Sequence, residues 1–416
     1  MYIALVEGYL PRLVDARVDA LLRQFAAVSI VGPRASGKTT TARRVVRTVV
    51  RLDRPAEATA FRSDPDVALA ALAPPALLDE WQEVPDVLGA VKRAVDAAPG
   101  PGRFVLTGSI RADLDTATWP GTGRLIRLPM CTLTMRELEG RHTGRLFLNR
   151  LAAAEFEDLP PSEELDLRDY LAAAVRGGFP EPALRLTGEA RQDWIDSYLD
   201  QLVTRDAPAV GIGRDPHRVR RYLEAEALNT AGQPTDATIA AAAGVDRRTA
   251  VAYQQLLVNL LVLDVVPAWT SNRLTRLVRG PKRYLTDPSL VSGVLGTDVA
   301  ATLRDGDLLG RMLDTFVAAQ LRAELPVAMA RPRLYHARER GGGHEVDLVV
   351  EFGGRRVAGI EVKSTAAPRR SDAIHLEWLR DSLGDRFTAG VVLHTGTAHV
   401  RFDDNLWALP IGAIWA

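Results

Sequence analysis

Short apolar runs that end in polar residues dominate the first third of the chain. Three of them stand out: residues 26–31 before Gly32, residues 76–78 before Asp79-Glu80, and residues 103–106 before Thr107-Gly108-Ser109. Residues 40–50 (TTARRVVRTVV) predict a helix after the first run. Apolar strands with polar tips, separated by helical stretches, are typical of a parallel α/β sheet whose functional site lies at the carboxyl ends of the strands.

The pattern changes in the rest of the chain. Residues 136–212 read as helical, with a Gly-Gly-Phe-Pro break at 177–180. Residues 219–265 give three helical segments followed by β-prone residues, which is the order of a winged helix-turn-helix. After about residue 291 a helix containing Asp314 precedes a strand-rich stretch, in which residues 346–351 and 357–362 predict a hairpin.

Composition indicates a protein of several domains. The chain has 416 residues, of which 47% are hydrophobic and 25% are charged, and this composition excludes disorder. The formal net charge is zero, so any nucleic-acid contact needs a local basic patch. The single cysteine, Cys131, suits a reducing cytoplasm, and we expect a cytoplasmic protein because neither an export signal nor an apolar run of membrane-spanning length is present.

Lysine is scarce in this chain. Four of the 52 basic residues are lysines, namely Lys38, Lys92, Lys282 and Lys363, and the other 48 are arginines. Where arginine serves most purposes, lysine is expected to persist at positions that need a compact ammonium group or a titratable amine. Lys38 and Lys363 lie in the two motifs described next.

The first motif is a phosphate-binding loop. Residues 32–39 match G-x-x-x-x-G-K-[ST], between a predicted strand and a predicted helix. In such a loop, backbone amides face the phosphates of a nucleotide, the lysine reaches the β- and γ-phosphate oxygens and the threonine hydroxyl ligates Mg²⁺. The sequence therefore predicts an ATP·Mg²⁺ site, formed by Gly32, Pro33, Arg34, Ala35, Ser36, Gly37, Lys38, Thr39 and Thr40.

Polar residues at the tips of the next two strands complete the predicted nucleotide site. Asp79 is expected to join Thr39 around the magnesium ion, and Glu80 to polarise the attacking water. Thr107 and Ser109 either contact the γ-phosphate or water, or simply cap the end of their strand.

The ordered set of motifs resembles bacterial and archaeal AAA-type ATPases that carry a C-terminal DUF4143 domain. The resemblance covers nearly the whole chain and rests on eight stretches: GPRASGKTT, LLDEWQEVP, FVLTGS, a GR-x-x-x-L-x-x turn at residues 123–130, RGGFPEP, PKRYLTDPSL, LLGRMLDTFVAAQL and HEVDLVVEFGGRRVAGIEVKS. It implies an α/β multidomain protein, in which a P-loop AAA+ parallel-sheet core with a helical lid and a winged helix is fused to a domain similar to PD-(D/E)xK nucleases. It also makes Arg124, otherwise a solvated surface residue, a candidate arginine finger acting in trans. A finger supplied in trans needs a neighbouring copy and hence a homo-oligomer, whereas a finger supplied in cis is compatible with a monomer.

The second motif lies near the C-terminal end of the sequence. Asp347 and Glu361 stand 14 positions apart on the arms of the predicted hairpin, and Glu361 and Lys363 share one strand face. Two carboxylates and an amine at one place are suited to hydrolysing a phosphodiester with Mg²⁺ or Mn²⁺, although so short a pattern also arises by chance. The resemblance adds Asp314 as a third metal ligand. Relatives often carry Glu at that position, and also an aliphatic residue in place of Trp81.

Several functions are consistent with these motifs. The leading hypothesis is an ATPase that acts on DNA, or on RNA, through Arg247, Arg248 and Thr249 of the helix-turn-helix and through the nuclease-like domain. Between Gly213 and Arg283, eleven basic residues oppose six acidic ones. The alternatives are a signalling or chaperone-like ATPase with an inactive nuclease-like interaction domain, and a nucleotide-gated toxin.

The domain boundaries follow from the same patterns. We expect the ATPase core at residues 1–135, the helical lid at 136–212, the winged helix at 213–290 and the DUF4143 domain at 291–416.

Overall fold

The computed structural model describes residues 8–109, 123–159, 164–206, 215–269 and 280–416. Contacts between Cα atoms divide the chain into two units. The first contains the residues up to Leu133 together with Asn259–Leu261, and the second contains Thr134–Val258 and Val262–Ala416.

The first unit is built on a five-stranded sheet. Its elements are α1 (Asp15–Leu22), β1 (Ala27–Val31), α2 (Lys38–Arg43), β2 (Thr48–Arg51), α3 (Pro55–Ser63), α4 (Pro65–Ala70), β3 (Ala76–Asp79), α5 (Val87–Ala97), β4 (Phe104–Gly108) and β5 (Leu125–Pro129). The strands pair in parallel in the order β2-β3-β4-β1-β5, which confirms the predicted parallel sheet. Because β4 lies between β1 and β3, the polar tips of the three predicted strands are neighbours.

The helix predicted for residues 40–50 is wrong over its second half. Helix α2 ends at Arg43, and Thr48–Arg51 form strand β2, which pairs in parallel with β3. The valines of this segment explain the difference, because β-branched side chains fit a pleated strand better than a helix. Val49 pairs with Leu77 and Val50 with Leu78. Pairing at the edge of the sheet therefore decides the structure of this segment, although its sequence also has a helical period.

The second unit begins with helices. Twelve α-helices are present among its described residues: α6 (Met135–Leu138), α7 (Phe147–Ala153), α8 (Leu167–Arg176), α9 (Pro180–Arg185), α10 (Gly188–Gln201), α11 (Pro216–Leu228), α12 (Asp236–Ala243), α13 (Arg247–Asn259), α14 (Pro288–Leu295), α15 (Val299–Arg304), α16 (Gly306–Glu324) and α17 (Ile374–Leu383). The predicted break at residues 177–180 is confirmed, since α8 ends at Arg176 and α9 begins at Pro180. Between α12 and α13, Gly244 ends the first helix in the left-handed conformation.

Two sheets accompany these helices. An antiparallel pair is formed by β6 (Leu263–Val266) and β7 (Lys282–Leu285). A mixed six-stranded sheet has the order β12-β13-β11-β10-β9-β8 and contains β8 (Arg333–Arg338), β9 (Glu345–Glu351), β10 (Val357–Val362), β11 (Phe387–His394), β12 (Val400–Asp403) and β13 (Leu406–Pro410). Strands β9 and β10 are antiparallel neighbours, which confirms the predicted hairpin.

Within the described ranges, none of the helices is both long and apolar enough to span a lipid bilayer.

Candidate functional site

The phosphate-binding loop connects β1 to α2 at the carboxyl edge of the first sheet. Gly32 lies so close to the backbone that follows β5 that a Cβ atom on it would stand 2.1 Å from the carbonyl oxygen of Met130. Gly37 has a φ of 94°, which favours glycine, and Lys38 follows it as the first residue of α2. Both glycines of the motif are therefore required by the path of the backbone.

Lys38 is held inside this loop. Its ammonium donates to the carbonyl of Pro33 at 2.7 Å, and the Ser36 hydroxyl donates to the same oxygen at 2.8 Å. The side chain is almost completely buried, and burial lowers the pKa of Lys38 to about 8, against the opposing effect of Glu80 and Asp79. A phosphate group would offer this ammonium the charge that a carbonyl oxygen lacks.

Thr39 and Asp79 meet across the sheet edge. The Thr39 hydroxyl donates to Oδ1 of Asp79 at 2.7 Å, and the hydroxyl of Thr107 donates to the same oxygen. Thr107 lies at the end of β4, between the loop after β1 and the carboxylate that ends β3. A hydroxyl and a carboxylate in contact beside a phosphate loop fit the ligands that Mg²⁺ takes in nucleotide sites.

Glu80 follows Asp79 in an uncommon backbone conformation. Its φ is 54° and its ψ is 48°, in the left-handed region that a non-glycine residue seldom adopts. The Gln82 amide, in the 3-10 turn that follows, donates to its carboxylate, and the Ser109 hydroxyl lies 3.4 Å from Oε1. The backbone therefore leaves the direction of β3 at Glu80, and the Glu80 carboxylate has two polar neighbours, Gln82 and Ser109.

One arginine of the first unit contacts the phosphate loop, and the predicted arginine finger lies at the opposite edge of the sheet. Arg12, which sequence reasoning missed, donates to the carbonyl of Ser36 at 2.8 Å and to that of Cys131 at 2.8 Å. It fastens the phosphate loop to the chain after β5, and no pattern in the sequence marks it. Arg124, directly before β5, lies at the amino edge of the sheet and forms an exposed ion pair with Asp96 at 2.9 Å. Gly121 and Thr122, which precede it in the sequence, lie outside the described residues.

The second predicted site is assembled from three elements of the second unit. Asp347 on β9 accepts a hydrogen bond from the amide of Val362 at 3.0 Å, which brings it beside Glu361 on β10 and Lys363 directly after that strand. The ammonium of Lys363 donates to Oε2 of Glu361 at 2.7 Å. Asp314, on α16, completes the group that we call the carboxylate cluster: Asp314, Asp347 and Glu361.

A lysine lies in the middle of this cluster. Lys282 on β7 donates to Oδ2 of Asp314 at 2.8 Å and to Oδ1 of Asp347 at 3.1 Å, and Tyr284 donates to Oδ1 of Asp314 at 3.1 Å. Lys282 and Tyr284 share one face of β7, because side chains alternate along a strand. Sequence reasoning did not assign either residue. The scarcity of lysine was the available signal, since Lys282 is the third of four.

The charges inside the cluster respond to burial and to each other. Burial raises the pKa of Asp314 to about 6 and raises that of Glu361 well above its usual value. Burial also acts to raise the pKa of Asp347, but Lys282, the Val362 amide and Lys363 outweigh it and hold that pKa below its usual value. For Lys282, burial alone would lower the pKa, and Asp314, Tyr284 and Asp347 raise it well above normal.

The carboxylate cluster does not fit the Mg²⁺ or Mn²⁺ ion that the nuclease-like interpretation requires. Five of its six carboxylate oxygens already accept a hydrogen bond from the protein, and the sixth, Oε1 of Glu361, is buried without a partner. In the part of the chain that the structure describes, no three His, Cys, Asp or Glu side chains are arranged to hold a metal ion.

Exposed arginines surround the turn between α12 and α13. Arg247 and Arg248 are exposed at the start of α13, and the guanidinium of Arg221 on α11 comes within 4.0 Å of a Cβ position built on Gly244. Thr249 uses its hydroxyl to bind Asp246 at 2.6 Å, as part of the helix cap. Of the three predicted contact residues, the two arginines therefore face solvent and the threonine serves the fold.

Three family models match successive parts of the chain. Residues 24–139 match an AAA domain, AAA_14, and residues 309–414 match the domain of unknown function DUF4143. Residues 167–300, between them, match a further domain of unknown function, DUF8612. The chain thus contains an AAA domain and a DUF4143 domain, as the motifs indicated, and the P-loop lies within the first.

Two relatives align over most of the chain. The uncharacterized proteins Mb2031c of Mycobacterium bovis and Rv2008c of Mycobacterium tuberculosis are each 29% identical to it over 406 residues, covering 96% of this chain and 83% of theirs. Among solved structures, the crystal structure of protein VC1899 from Vibrio cholerae aligns over 94% of this chain and 95% of its own, with 13% identity and a TM-score of 0.20.

Proposed function

Because the chain carries an AAA domain and a DUF4143 domain, we propose that it binds ATP and hydrolyses it at the phosphate loop of the first unit. One observation carries this proposal. The Thr39 hydroxyl and the Asp79 carboxylate are in contact at 2.7 Å, beside a lysine buried in the loop. That combination of hydroxyl, carboxylate and ammonium suits a nucleotide triphosphate with Mg²⁺.

Each residue has a defined task in this proposal. The loop amides and Lys38 bind the phosphates, Thr39 and Asp79 hold Mg²⁺, and Glu80 orients and polarises the attacking water. When bound, Mg²⁺ offsets the negative charge of the phosphate oxygens. Thr107 keeps the Asp79 carboxylate in place through its hydrogen bond.

The test separates binding from turnover. We expect Lys38→Ala to abolish ATP hydrolysis and to weaken ATP binding, and Glu80→Gln to retain binding but lose turnover. Lys92→Ala is the matched control, because Lys92 lies on α5 of the same unit and outside the phosphate loop. Phosphate release and fluorescent-nucleotide binding are measured for each variant. Hydrolysis by Lys38→Ala at the rate of Lys92→Ala would refute the proposal.

An oligomer is part of the same proposal. In it, Arg124 leaves its exposed pair with Asp96 and reaches the nucleotide of a neighbouring copy, where a guanidinium stabilises the charge of the transition state. Arg124→Ala should then lower turnover without changing ATP affinity, and turnover per chain of the unaltered protein should rise with protein concentration.

The finer part of the proposal is that ATP turnover is coupled to nucleic-acid binding. Arg221, Arg247 and Arg248 support it, because they gather exposed positive charge around the turn of a helix-turn-helix arrangement. Charges in such a position contact phosphates of the DNA backbone, with or without contacts to base edges. RNA would meet the same charges.

Salt dependence tests this part. Duplex DNA labelled for fluorescence anisotropy should bind the protein with an affinity that falls steeply as salt is raised. Replacing Arg247 and Arg248 by Ala should weaken binding and reduce the salt slope by about 2, because each arginine neutralises about one phosphate. Arg304→Ala, an exposed arginine on α15, is the control. If the protein hydrolyses ATP but shows no salt-sensitive binding to any DNA or RNA, coupling to nucleic acid is refuted and the signalling or chaperone-like alternative is favoured.

A further inference from the structure

The ammonium of Lys282 has the surroundings of a bound cation. Three oxygen atoms converge on Nζ: Oδ2 of Asp314 at 2.8 Å, Oδ1 of Asp347 at 3.1 Å and the backbone carbonyl of Asp347 at 3.3 Å. The Lys282 side chain is 3% exposed and that of Asp314 is 9% exposed. Carboxylate and carbonyl oxygens are the ligands that hard divalent cations take in proteins.

The remaining oxygens of the carboxylate cluster have their own donors. Tyr284 holds the second oxygen of Asp314, the Val362 amide holds the second oxygen of Asp347, and Lys363 holds Oε2 of Glu361. A divalent ion binds carboxylates at about 2.0–2.6 Å and repels any ammonium at such range. It could enter only by displacing Lys282, whose charge would then be buried and unpaired.

We propose that Lys282 is the permanent cation of the carboxylate cluster and takes the position of a divalent metal. It follows that the cluster holds no Mg²⁺ or Mn²⁺ and that the DUF4143 domain of this chain does not cleave phosphodiesters by a metal-dependent route. The ion pairs of Lys282 with the cluster instead link β7 to α16 and β9 inside the second unit. This inference concerns the second unit alone and stands whether or not ATP is hydrolysed by the first.

The shape of the lysine side chain explains why it persists here in a chain with so few lysines. An ammonium is compact and directs its three donors in different directions, whereas a guanidinium is larger and holds its donors in one plane. At the point where two carboxylate oxygens and a backbone carbonyl converge on Lys282 Nζ, the larger planar group would have to displace at least one of these oxygens. Lys282→Arg is therefore not a conservative change at this position.

Manganese binding tests the proposal without any measurement of activity. The full-length protein, free of nucleotide, is titrated with Mn²⁺, and the unbound ion is counted from its electron paramagnetic resonance signal. Asp347→Asn serves as the reference that lacks the cluster, so that binding elsewhere is subtracted. We expect the unaltered protein and Asp347→Asn to bind equal amounts of Mn²⁺.

Removing the ammonium should turn the cluster into a metal site. Lys282→Met keeps most of the side-chain volume, and it should bind one more Mn²⁺ per chain than the unaltered protein. The double variant Lys282→Met/Asp347→Asn should lose that ion again. Access exists, because the Asp347 and Lys363 side chains are 22% and 32% exposed.

Two results would overturn the proposal. One is an unaltered protein that binds one Mn²⁺ more than Asp347→Asn, which would mean that the metal displaces Lys282. The other is a folded Lys282→Met, judged by circular dichroism, that gains no Mn²⁺. If Lys282→Met does not fold, Lys282→Gln replaces it, and the comparison of the unaltered protein with Asp347→Asn decides the question by itself.

Discussion

Replacing Gly177 by alanine should destabilise the second unit severely. Gly177 follows α8 with a φ of 66° and a ψ of −166°, a conformation that is essentially confined to glycine. An added Cβ would lie 2.4 Å from Oδ1 of Asp287, 2.4 Å from the hydroxyl of Ser289 and 2.5 Å from its Cβ. The backbone and the neighbouring side chains therefore both exclude it.

The size of the effect follows from what must give way. The backbone conformation contributes about 1–3 kcal/mol of strain for a non-glycine residue. Asp287 is completely buried and accepts from the amides of Gly178 and Ser289, both at 2.9 Å, and from the Ser289 hydroxyl at 2.6 Å. Disturbing these hydrogen bonds adds about 1–3 kcal/mol, so we expect a total loss of about 2–6 kcal/mol.

Urea unfolding of the full-length chain measures this loss. Five of the seven tryptophans lie in the second unit, so their fluorescence reports mainly on that unit. The matched control is Gly296→Ala, where φ is 60° and ψ is 33° but no atom lies within 4 Å of the added Cβ, so its loss should be about 1 kcal/mol. If the two variants lost the same stability, the steric argument would be refuted.

Three further predictions concern other parts of the chain. Gly32→Ala should lower ATP affinity by about tenfold or more, since a displaced loop forfeits about 1.4 kcal/mol or more of binding, whereas Gly100→Ala, which meets no atom within 4 Å, should not. Burial raises the pKa of Glu324 from 4.5 to about 7, so the folded state binds the proton of this carboxyl more tightly than the unfolded state does. The free energy of unfolding should therefore be highest below pH 4.5 and should fall by about 3 kcal/mol as the pH rises through 7. Arg283→Met should destabilise the second unit by about 3–5 kcal/mol, because it leaves the carboxylate of Glu226 buried without its guanidinium.

Each of these three predictions can be contradicted by a specific result. Unchanged nucleotide binding in Gly32→Ala would show that the phosphate loop adapts to the added methyl group. Glu324→Gln should flatten the decline in unfolding free energy between pH 5 and pH 8, and a slope equal to that of the unaltered protein would assign the decline to another group. Adding Glu226→Leu to Arg283→Met should restore part of the lost stability, and a further loss would contradict the argument from unpaired charge.

Three strands of the first sheet could be predicted because each is marked by residues that are adjacent in the sequence. Each apolar run ended in a residue whose chemistry marked the strand tip, and the order of the strands then brought Thr39, Asp79 and Thr107 together. The sequence did not show strands β2 and β5. The valines after α2 satisfy a helical period and a strand equally well until pairing with β3 decides between them, and residues 123–130, interpreted as a turn, contain β5.

The carboxylate cluster illustrates the opposite case. Spacing and alternation on one hairpin were enough to bring Asp347 to Glu361 and Lys363. Lys282 comes from a strand 65 positions before Asp347, and nothing in the local pattern of β7 indicates which side chain it will meet. Arg12 was missed for a similar reason, since it binds two backbone carbonyls, and backbone carbonyls have no signature in a sequence.

The alternation of side chains on β7 has a mechanical consequence. Lys282 points to Asp314 and Asp347, while its neighbour Arg283 points the opposite way, to Glu226 of α11 and Asp236 of α12. The strand is thus anchored on both of its faces, and it cannot slide by one residue without withdrawing both charges from their partners. Strand β7 therefore joins α11 and α12 on one of its faces to α16 and β9 on the other through buried ion pairs.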